Sequence, residues 1–302
     1  MSNQTTPIPR AASVDADRGG AHAGGAAHTG GAVTVKGLIN YTAHMAHPPR
    51  YHAMDATRNV HLFDPRTVTI TEARSKSQRP TLDREGFQLV AHSSAVRNSL
   101  DSNELERVYY PEILALIREV TGARAVAVVS TPFVRFGERS GLSGELKNSR
   151  PARFVHIDYS DARGQATAAQ VFTTMADNAW TYRRFVHYNV WRVLTPPPQD
   201  IPLAVCDARS LPREDLIPAV AVFDFPGVPE RTAESLVVRY GAAHGWHYYR
   251  DMTPSEALIF VTNESDPTRP HHVPHTAFDD PSCPPTAVTR SSIEIRVVAY
   301  FE

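Results

Sequence analysis

Short runs in which apolar and polar residues alternate dominate the chain, and turn-forming residues bound each run. Alternation with a period of two is typical of β-strands that bury one face. The runs predicted to be strands span residues 124–135, 152–160, 183–194, 203–211, 244–252, 256–265 and 291–301. Many strands, few helices and 24 prolines lying mostly between the runs predict a mainly β fold with flanking helices, either a barrel or a jelly roll.

One segment, 101–123, shows helical periodicity instead. The apolar residues that share one helical face there are Ile113, Leu114, Leu116, Ile117 and Val120. Asn103 and Glu106 have the spacing of a capping box, and Gly122 stands where a C-cap belongs. Because Pro111 suits the first turn of a helix better than its middle, the segment is predicted to form two short helices or one kinked helix.

The first 33 residues differ from the rest of the chain. They consist mainly of Gly, Ala, Ser, Thr and Pro and contain almost no large apolar residue. Such a segment buries too little surface to offset the entropy of ordering it. Residues 1–33 are therefore predicted to be a disordered tail, and 34–302 a single domain without an internal repeat.

Charge and cysteine content narrow the possible partners. Lys and Arg number 31 and Asp and Glu 32, for a formal charge of −1, so no broad basic field is available for nucleic acid. No run reaches the roughly 18 to 20 apolar residues of a membrane span, and the first residues lack the apolar stretch of a secretory signal. The two cysteines do not suit a disulfide framework. A cytoplasmic protein, with no nucleic acid or membrane partner, is expected.

Candidate chemistry begins with the run FVHIDYS. His156 and Asp158 are two residues apart, so on a strand both side chains leave the same face. A further histidine, His275, follows far downstream among turn-forming residues. This order is that of the two-His-one-carboxylate triad, which holds Fe(II) and leaves one face open. The alternative is an ordinary cross-strand polar pair and an unrelated loop histidine.

The last predicted strand carries a polar face. Arg290, Ser292, Glu294 and Arg296 alternate with apolar residues along it. Arg290 and Ser292 together can hold a carboxylate, the guanidinium through paired donors and the hydroxyl through a further hydrogen bond. The distal carboxylate of 2-oxoglutarate needs such a pair. In the alternative, Arg290 marks a strand start at the surface and pairs with a local acid such as Asp279 or Asp280.

An ordered set of motifs extends over most of the chain after the tail. In sequence they are LDREGFQLVAHSSAV (82–96), YYPEI (109–113), TGARAV (121–126), VHIDYS (155–160), NVWR (189–192), CDARSL (206–211), HGWHYYRDM (244–252), EALIF (256–260), PHTAFDDP (274–281) and RSSIEIR (290–296). The set resembles the CmcJ-like and AsaB-like hydroxylase/desaturase family of non-haem Fe(II)/2-oxoglutarate-dependent oxygenases. Two features depart from the family pattern. One is the segment RNSLD, which follows Val96, and the other is His247, which stands where an aromatic residue is usual.

The resemblance implies a double-stranded β-helix, the cupin-like jelly roll, with one iron held by His156, Asp158 and His275. It further implies that Arg290 binds the 2-oxoglutarate carboxylate; Arg296 is the second candidate because it shares that strand face. Dioxygen is the remaining co-substrate. For the substrate, Asn189 and Arg192 lie on a strand expected to flank the barrel mouth. Packing of Trp191 in the core, with Arg192 reaching outward, is the alternative.

Together these features predict an oxygenase that oxidises an unactivated C–H bond of a small natural-product or amino-acid-derived substrate. Hydroxylation is the default outcome, with desaturation and ring formation as alternatives. A 2-oxoglutarate-independent iron oxidase and a non-catalytic β-barrel binding protein are the competing hypotheses. A pathway partner, such as a methyltransferase acting on a new hydroxyl, is compatible with each enzyme hypothesis, and no oligomeric state is predicted.

Overall fold

The computed structural model describes residues 32–146, 149–176 and 179–302. The strands are β1 (Thr34–Thr42), β2 (Arg50–His52), β3 (Phe63–Glu72), β4 (Phe87–Ala91), β5 (Ala125–Val128), β6 (Phe133–Phe136), β7 (His156–Ile157), β8 (Arg184–Val193), β9 (Leu203–Cys206), β10 (Leu216–Phe223), β11 (Arg231–Val238), β12 (Trp246–Tyr248), β13 (Glu256–Glu264), β14 (His275–Ala277) and β15 (Ser291–Phe301). The helices are α1 (Ser102–Glu104), α2 (Tyr110–Thr121) and α3 (Asp161–Thr174), with a π-helical turn over Leu105–Tyr109. The mainly β prediction with flanking helices is confirmed.

The strands form two sheets. The nine-stranded sheet has the order β1-β3-β12-β9-β14-β7-β11-β10-β2, and the six-stranded sheet has the order β4-β13-β8-β15-β5, with β6 also paired to β15. The first sheet carries β7 and β14, which hold the two candidate ligand histidines. The second carries β8 and β15, which hold the candidate co-substrate and substrate residues. The site must therefore form where these two sheets face each other.

Apolar packing fixes the six-stranded sheet against α2. Ile113 and Ile117 of the helix belong to the same buried cluster as Val190 of β8, Ile259 of β13 and Ile295 of β15. Strands β8 and β15 lie at the centre of the sheet and are buried along nearly their whole length. A buried polar side chain on these strands must therefore find a partner or bind a ligand.

The helix prediction is confirmed with one correction. The chain forms one helical run that passes through a π turn before Pro111, and Gly122 ends it in the left-handed conformation at φ 68°. The expected capping box of Asn103 and Glu106 is wrong. Asp101 caps the helix, because its side chain accepts hydrogen bonds from the backbone N–H groups of Asn103 and Glu104.

Several predicted strands are shorter than expected, and other elements were missed. The run 152–160 keeps only two strand residues, because Ser160 caps the N-terminus of α3. Helix α3 was not predicted, since its sequence of Ala, Gln, Thr and Gly gives only weak apolar periodicity. The antiparallel pairs β1–β3 and β10–β11 were also missed.

The predicted tail, 1–33, lies outside the described residues except for its last two. Of these, Val33 is tied to the fold, since its backbone N–H donates to Ser75 Oγ over 2.9 Å. Residues 32–302 group into one compact unit. The division into a disordered tail and one domain stays a prediction.

Candidate metal centre and active site

Sheet pairing brings the three predicted metal ligands together. His275 of β14 lies directly opposite His156 of β7 in the antiparallel register, and their ring centroids are 4.2 Å apart. Asp158 follows β7 by one residue. One ligand atom from each of the three side chains lies within 4.8 Å of the others, and all three residues are buried. The structure thus unites residues separated by more than a hundred positions in the chain.

Backbone hydrogen bonds orient both imidazoles in the same way. His156 Nδ1 lies 3.0 Å from the Phe154 carbonyl, and His275 Nδ1 lies 3.3 Å from the Val273 carbonyl. Since a carbonyl only accepts, Nδ1 carries the proton and Nε2 presents a lone pair, as a metal ligand requires. Burial, reinforced by the neighbouring His275, lowers the pKa of His156 to about 3. Burial also lowers the pKa of His275, so both rings are neutral near pH 7.

The Asp158 carboxylate is held from two sides. Arg296 Nη2 lies 2.7 Å from Oδ1, and Asn189 Nδ2 donates to Oδ2 over 3.1 Å. Burial alone would raise the pKa of Asp158, but Arg296 and the two histidines outweigh it and lower the pKa below its usual value. Asp158 is therefore ionised and fixed in orientation, with no contribution from a metal.

Arg296 belongs to a longer chain of buried charges. Its Nη2 donates to Glu294 Oε1 over 3.1 Å. Glu294 in turn accepts two hydrogen bonds from Arg135 of β6, at 3.1 and 3.0 Å. Arg135 Nη1 donates to the Arg150 carbonyl at 2.8 Å. Glu294 was expected on the polar face of the last strand, whereas Arg135 was not predicted; its one signal was that it is a single charged residue within the apolar run FVRF.

Arg290 and Ser292 lie at the opposite end of the same strand face. Both are 1% exposed, so Arg290 does not mark a surface strand start. Its Nη1 donates to the Ile201 carbonyl over 2.6 Å, and its guanidinium lies 5.5 Å from the Trp191 ring centroid. Arg290 Nε and Ser292 Oγ are buried without a hydrogen-bond partner among the described residues. Burial, with Arg135 nearby, lowers the pKa of Arg290 to about 10, so the group is still cationic at pH 7.

These unused donors fit a carboxylate ligand. Buried polar atoms are almost always satisfied in native proteins, so two orphaned donors in adjacent side chains indicate a missing acceptor. A guanidinium and a hydroxyl match the distal carboxylate of a dicarboxylic oxoacid. The residues present therefore fit 2-oxoglutarate, and the triad of two imidazole nitrogens and one carboxylate fits Fe(II).

A cavity of about 270 Å³ opens beside the triad. Its wall includes His156, Asp158 and Arg296 together with four aromatic residues: Tyr51, Phe63, Phe154 and Phe223. His52 also lines it, and both of its ring nitrogens are buried without a partner among the described residues. Sequence analysis missed His52, which lies on the short strand β2 with no recognisable motif around it.

The two predicted substrate residues lie on opposite faces of β8. Asn189 reaches the triad, but its amide positions Asp158. Arg192 points the other way: its Nη2 donates to the Pro254 carbonyl over 2.6 Å, and its guanidinium lies 5.8 Å from the Tyr109 ring centroid. The structure therefore brings Asn189, but not Arg192, to the triad.

Comparison with known proteins places the chain among oxidoreductases. A family model described as "Oxidoreductase/YMDC permease-like domain" matches residues 39–300. Oxidoreductase R2 of Phoma sp. (strain ATCC 20986 / MF5453) is 30% identical over 271 residues, which cover 83% of this chain and 90% of that protein. Hydroxylase/desaturase efuI of Hormonema carpetanum is 28% identical over 290 residues, covering 89% and 96%. No helix among the described residues is long and apolar enough to cross a membrane.

A solved structure shares the fold. It is titled "iron and alpha-ketoglutarate-dependent endoperoxidase NvfI with different conformation" and superimposes with a TM-score of 0.75 at 23% identity, over 90% of this chain and 99% of that one. The expected jelly-roll fold is thereby confirmed. Together with the family match over nearly the whole described chain, these similarities confirm the resemblance drawn from the motifs. The chain belongs to the hydroxylase/desaturase family of non-haem Fe(II)/2-oxoglutarate-dependent oxygenases.

Proposed function

We propose that this chain oxidises an unactivated C–H bond of a small natural-product or amino-acid-derived molecule, using Fe(II), 2-oxoglutarate and dioxygen. The observation that carries the proposal is the buried triad: one ring nitrogen from each of two histidines and one carboxylate oxygen lie within 4.8 Å of one another, beside a cavity with aromatic side chains in its wall. When bound, iron and 2-oxoglutarate supply the oxidising power, while the protein supplies binding, orientation and electrostatics. Family membership gives the reaction class, and the cavity limits the substrate to a small molecule.

His156, Asp158 and His275 are the proposed metal ligands. Their protonation states are already those that a divalent cation needs, because burial keeps both histidines neutral and Arg296 keeps Asp158 ionised. Metal binding then displaces no proton from these groups near pH 7. Asn189 and Arg296 are positioning residues, since each holds one oxygen of Asp158.

Arg290 and Ser292 are the proposed site for the distal carboxylate of 2-oxoglutarate. Arg296, the other candidate, already donates to two carboxylates and has fewer donors to offer. A buried guanidinium without a carboxylate partner among the described residues attracts an anion strongly, because little water competes for its N–H groups. Trp191, below the Arg290 guanidinium, keeps that side chain aligned.

The substrate is proposed to occupy the cavity beside His156 and Asp158. Phe63, Phe154 and Phe223 offer apolar walls for a ring-bearing body. His52, with two unpaired ring nitrogens, can hydrogen-bond a polar group of the substrate and so fix which carbon faces the metal. This arrangement orients one C–H bond and leaves the choice among hydroxylation, desaturation and ring formation to substrate placement.

The proposal extends to partners and location. Nearly equal numbers of acidic and basic residues suit a small-molecule substrate and no nucleic acid partner. Cys206 and Cys283 are both free thiols, which suits a reducing, cytoplasmic compartment. A second enzyme that acts on the newly oxidised position, such as a methyltransferase, is the proposed pathway partner.

The test is co-substrate consumption by the full chain. Purified protein with Fe(II) should convert 2-oxoglutarate to succinate and carbon dioxide slowly without substrate, and faster with a substrate that fits the cavity. His275→Ala should abolish succinate formation, whereas changing the exposed His44 to Ala should leave it unchanged. Oxygen consumption that needs iron but forms no succinate would instead support the 2-oxoglutarate-independent oxidase.

A further inference from the structure

A second group of two histidines and one carboxylate lies outside the triad. Asp161, His271 and His272 each place one ligand atom within 4.8 Å of the others. Asp161 is the first residue of α3, and the histidines lie in the loop before β14. The exposed fraction of the side chain increases across the group. It is 3% for His272, 23% for His271 and 52% for Asp161. A cation can therefore enter from solvent and meet a buried base.

One distance within this group matches that of a tetrahedral site. His272 Nε2 lies 3.3 Å from Asp161 Oδ1. Asn263 Nδ2, a donor and not a ligand, hydrogen-bonds the same oxygen over 3.1 Å. Ligands bound to Zn²⁺ at about 2.0–2.1 Å are roughly 3.3 Å apart when the geometry is tetrahedral. His271 Nε2 is closer to Asp161 Oδ1, at 2.6 Å, and this contact would lengthen on binding a cation.

The Nε2 atom of His272 has two neighbours that make opposite hydrogen-bonding demands on it. His272 Nε2 lies 3.3 Å from Asp161 Oδ1, which accepts, and 3.3 Å from Asn263 Nδ2, which donates. Burial lowers the pKa of His272, and a neutral ring can satisfy only one of these neighbours through the same nitrogen. A cation resolves the conflict: His272 gives it the Nε2 lone pair, and Asn263 keeps its hydrogen bond to Asp161.

The remaining contact of Asp161 is compatible with a metal. Arg213 Nη2 lies 2.8 Å from Oδ2, on the other side of the carboxylate from the histidines. Its side chain is 74% exposed and contributes little to an ion pair in water. Asp161 can thus bind a cation through Oδ1 alone while Arg213 holds Oδ2, as partners of ligating carboxylates commonly do.

We propose that Asp161, His271 and His272 form a second divalent-cation site, with a preference for Zn²⁺, that clamps the two segments bearing the iron ligands. Imidazole and carboxylate ligands in a compact, partly open group suit Zn²⁺. Asp161 follows Asp158 by three residues, and His272 precedes His275 by three. A cation here ties the start of α3 to the 271–272 loop and so restrains both ligand segments.

The experiment counts metal ions in the full chain. The protein is first freed of bound metal with a chelator and then dialysed against Zn²⁺. Its zinc content is measured by elemental mass spectrometry. The wild type should bind one ion more than the His271→Ala/His272→Ala variant and one more than His156→Ala, because each variant removes a different site. A double variant at two exposed histidines, His44→Ala/His47→Ala, is the matched control and should bind as many ions as the wild type.

Thermal unfolding distinguishes a cation that stabilises the fold from one that binds adventitiously. In the His156→Ala background, Zn²⁺ at about 100 times its dissociation constant should raise the melting temperature by roughly 5 °C, and Asp161→Asn should remove this shift while preserving side-chain shape. Equal Zn²⁺ counts in the wild type and the His271→Ala/His272→Ala variant would overturn the proposal. So would a melting shift that persists in Asp161→Asn. Neither result bears on the triad, whose failure would appear as lost 2-oxoglutarate turnover.

Discussion

The polar face of β15 carries two buried arginines whose surroundings are opposite. Arg296 donates to Asp158 and Glu294, and Glu294 is itself paired with Arg135. Arg290 has a backbone carbonyl but no carboxylate as a partner among the described residues, and the neighbouring Ser292 Oγ has no partner there. The Nε atoms of both arginines are buried without a partner in that part of the chain, so the two differ in their carboxylates. Arg296 lies in β15 and Arg290 directly precedes that strand, and both side chains are nearly inaccessible to water.

This difference in carboxylate partners indicates that Arg296 has a structural role and that Arg290 belongs to a binding site. A buried charge with its carboxylates in place holds the protein together, and removing it leaves those carboxylates uncompensated. A buried charge without a carboxylate partner has lost its hydration without full compensation, and an anionic ligand can supply the missing acceptor. In the proposed site, Arg296 therefore positions Asp158 as a metal ligand, and Arg290 binds the oxoacid carboxylate.

The largest effect is expected from removing the scaffold arginine. Arg296→Met leaves Asp158 without its cation in a buried site, and breaking such a pair costs about 3–5 kcal/mol. The free energy of unfolding, measured in urea, should fall by that amount. Arg290→Met, which leaves no carboxylate unpaired, should lose much less. Equal losses in the two variants would break the distinction between the ends of β15.

The same substitution should create a pH dependence. Arg296 counteracts burial and lowers the pKa of Asp158. A carboxylate with a depressed folded pKa adds stability above its unfolded pKa of about 3.9, and this is lost only as pH falls through the folded value. Wild-type Fe(II) affinity should thus not change through Asp158 between about pH 7.5 and 5.5. In Arg296→Met burial dominates and the pKa rises, so affinity should fall over that interval; a flat profile in the variant would contradict the assigned role.

The next largest effect concerns the oxoacid. Arg290→Ala should weaken 2-oxoglutarate binding by about 100-fold, or ~2.7 kcal/mol, as expected for one lost partner of a buried charge pair. Titration of the iron-loaded protein under anaerobic conditions measures this. Arg290→Lys keeps the charge but loses the paired donors, and its affinity should lie between those of the wild type and Arg290→Ala. An unchanged affinity of Arg290→Ala for 2-oxoglutarate would show that the distal carboxylate binds at another position.

The smallest effect is expected from the hydroxyl. Ser292→Ala removes one hydrogen bond to the same carboxylate, worth about 1 kcal/mol or roughly fivefold in 2-oxoglutarate affinity. Iron affinity should not change, because Ser292 Oγ makes no hydrogen bond to the triad or to any other described residue. Weakened iron binding, with 2-oxoglutarate affinity intact, would show that the two ends of β15 are not independent.

Local periodicity was sufficient to predict which side chains of the proposed site share a strand face. Spacing by two placed His156 and Asp158 on one face, and alternation along the last strand placed Arg290 and Ser292 beside Glu294 and Arg296. Both patterns depend only on the pleat of a strand. The distant His275 was found from the order of motifs, not from any local pattern around it.

What the sequence did not predict depended on tertiary contacts. Nothing local shows that Arg296 pairs with Asp158, or that Asn189 faces inward while Arg192 meets Tyr109. Those directions follow from the register of β8 against β15 and from the sheet that packs over them. His52 could not be predicted for the same reason, since its three-residue strand joins the sheet through parallel pairing with the distant β10.

The most direct test mixes the apoprotein anaerobically with Fe(II) and 2-oxoglutarate and records the visible metal-to-ligand charge-transfer band. The wild type should develop the band, His275→Ala should lose it, and Arg290→Ala should need about 100-fold more 2-oxoglutarate to reach it. No band from the wild type despite stoichiometric iron binding would contradict the assignment of the triad and Arg290 to one oxygenase site.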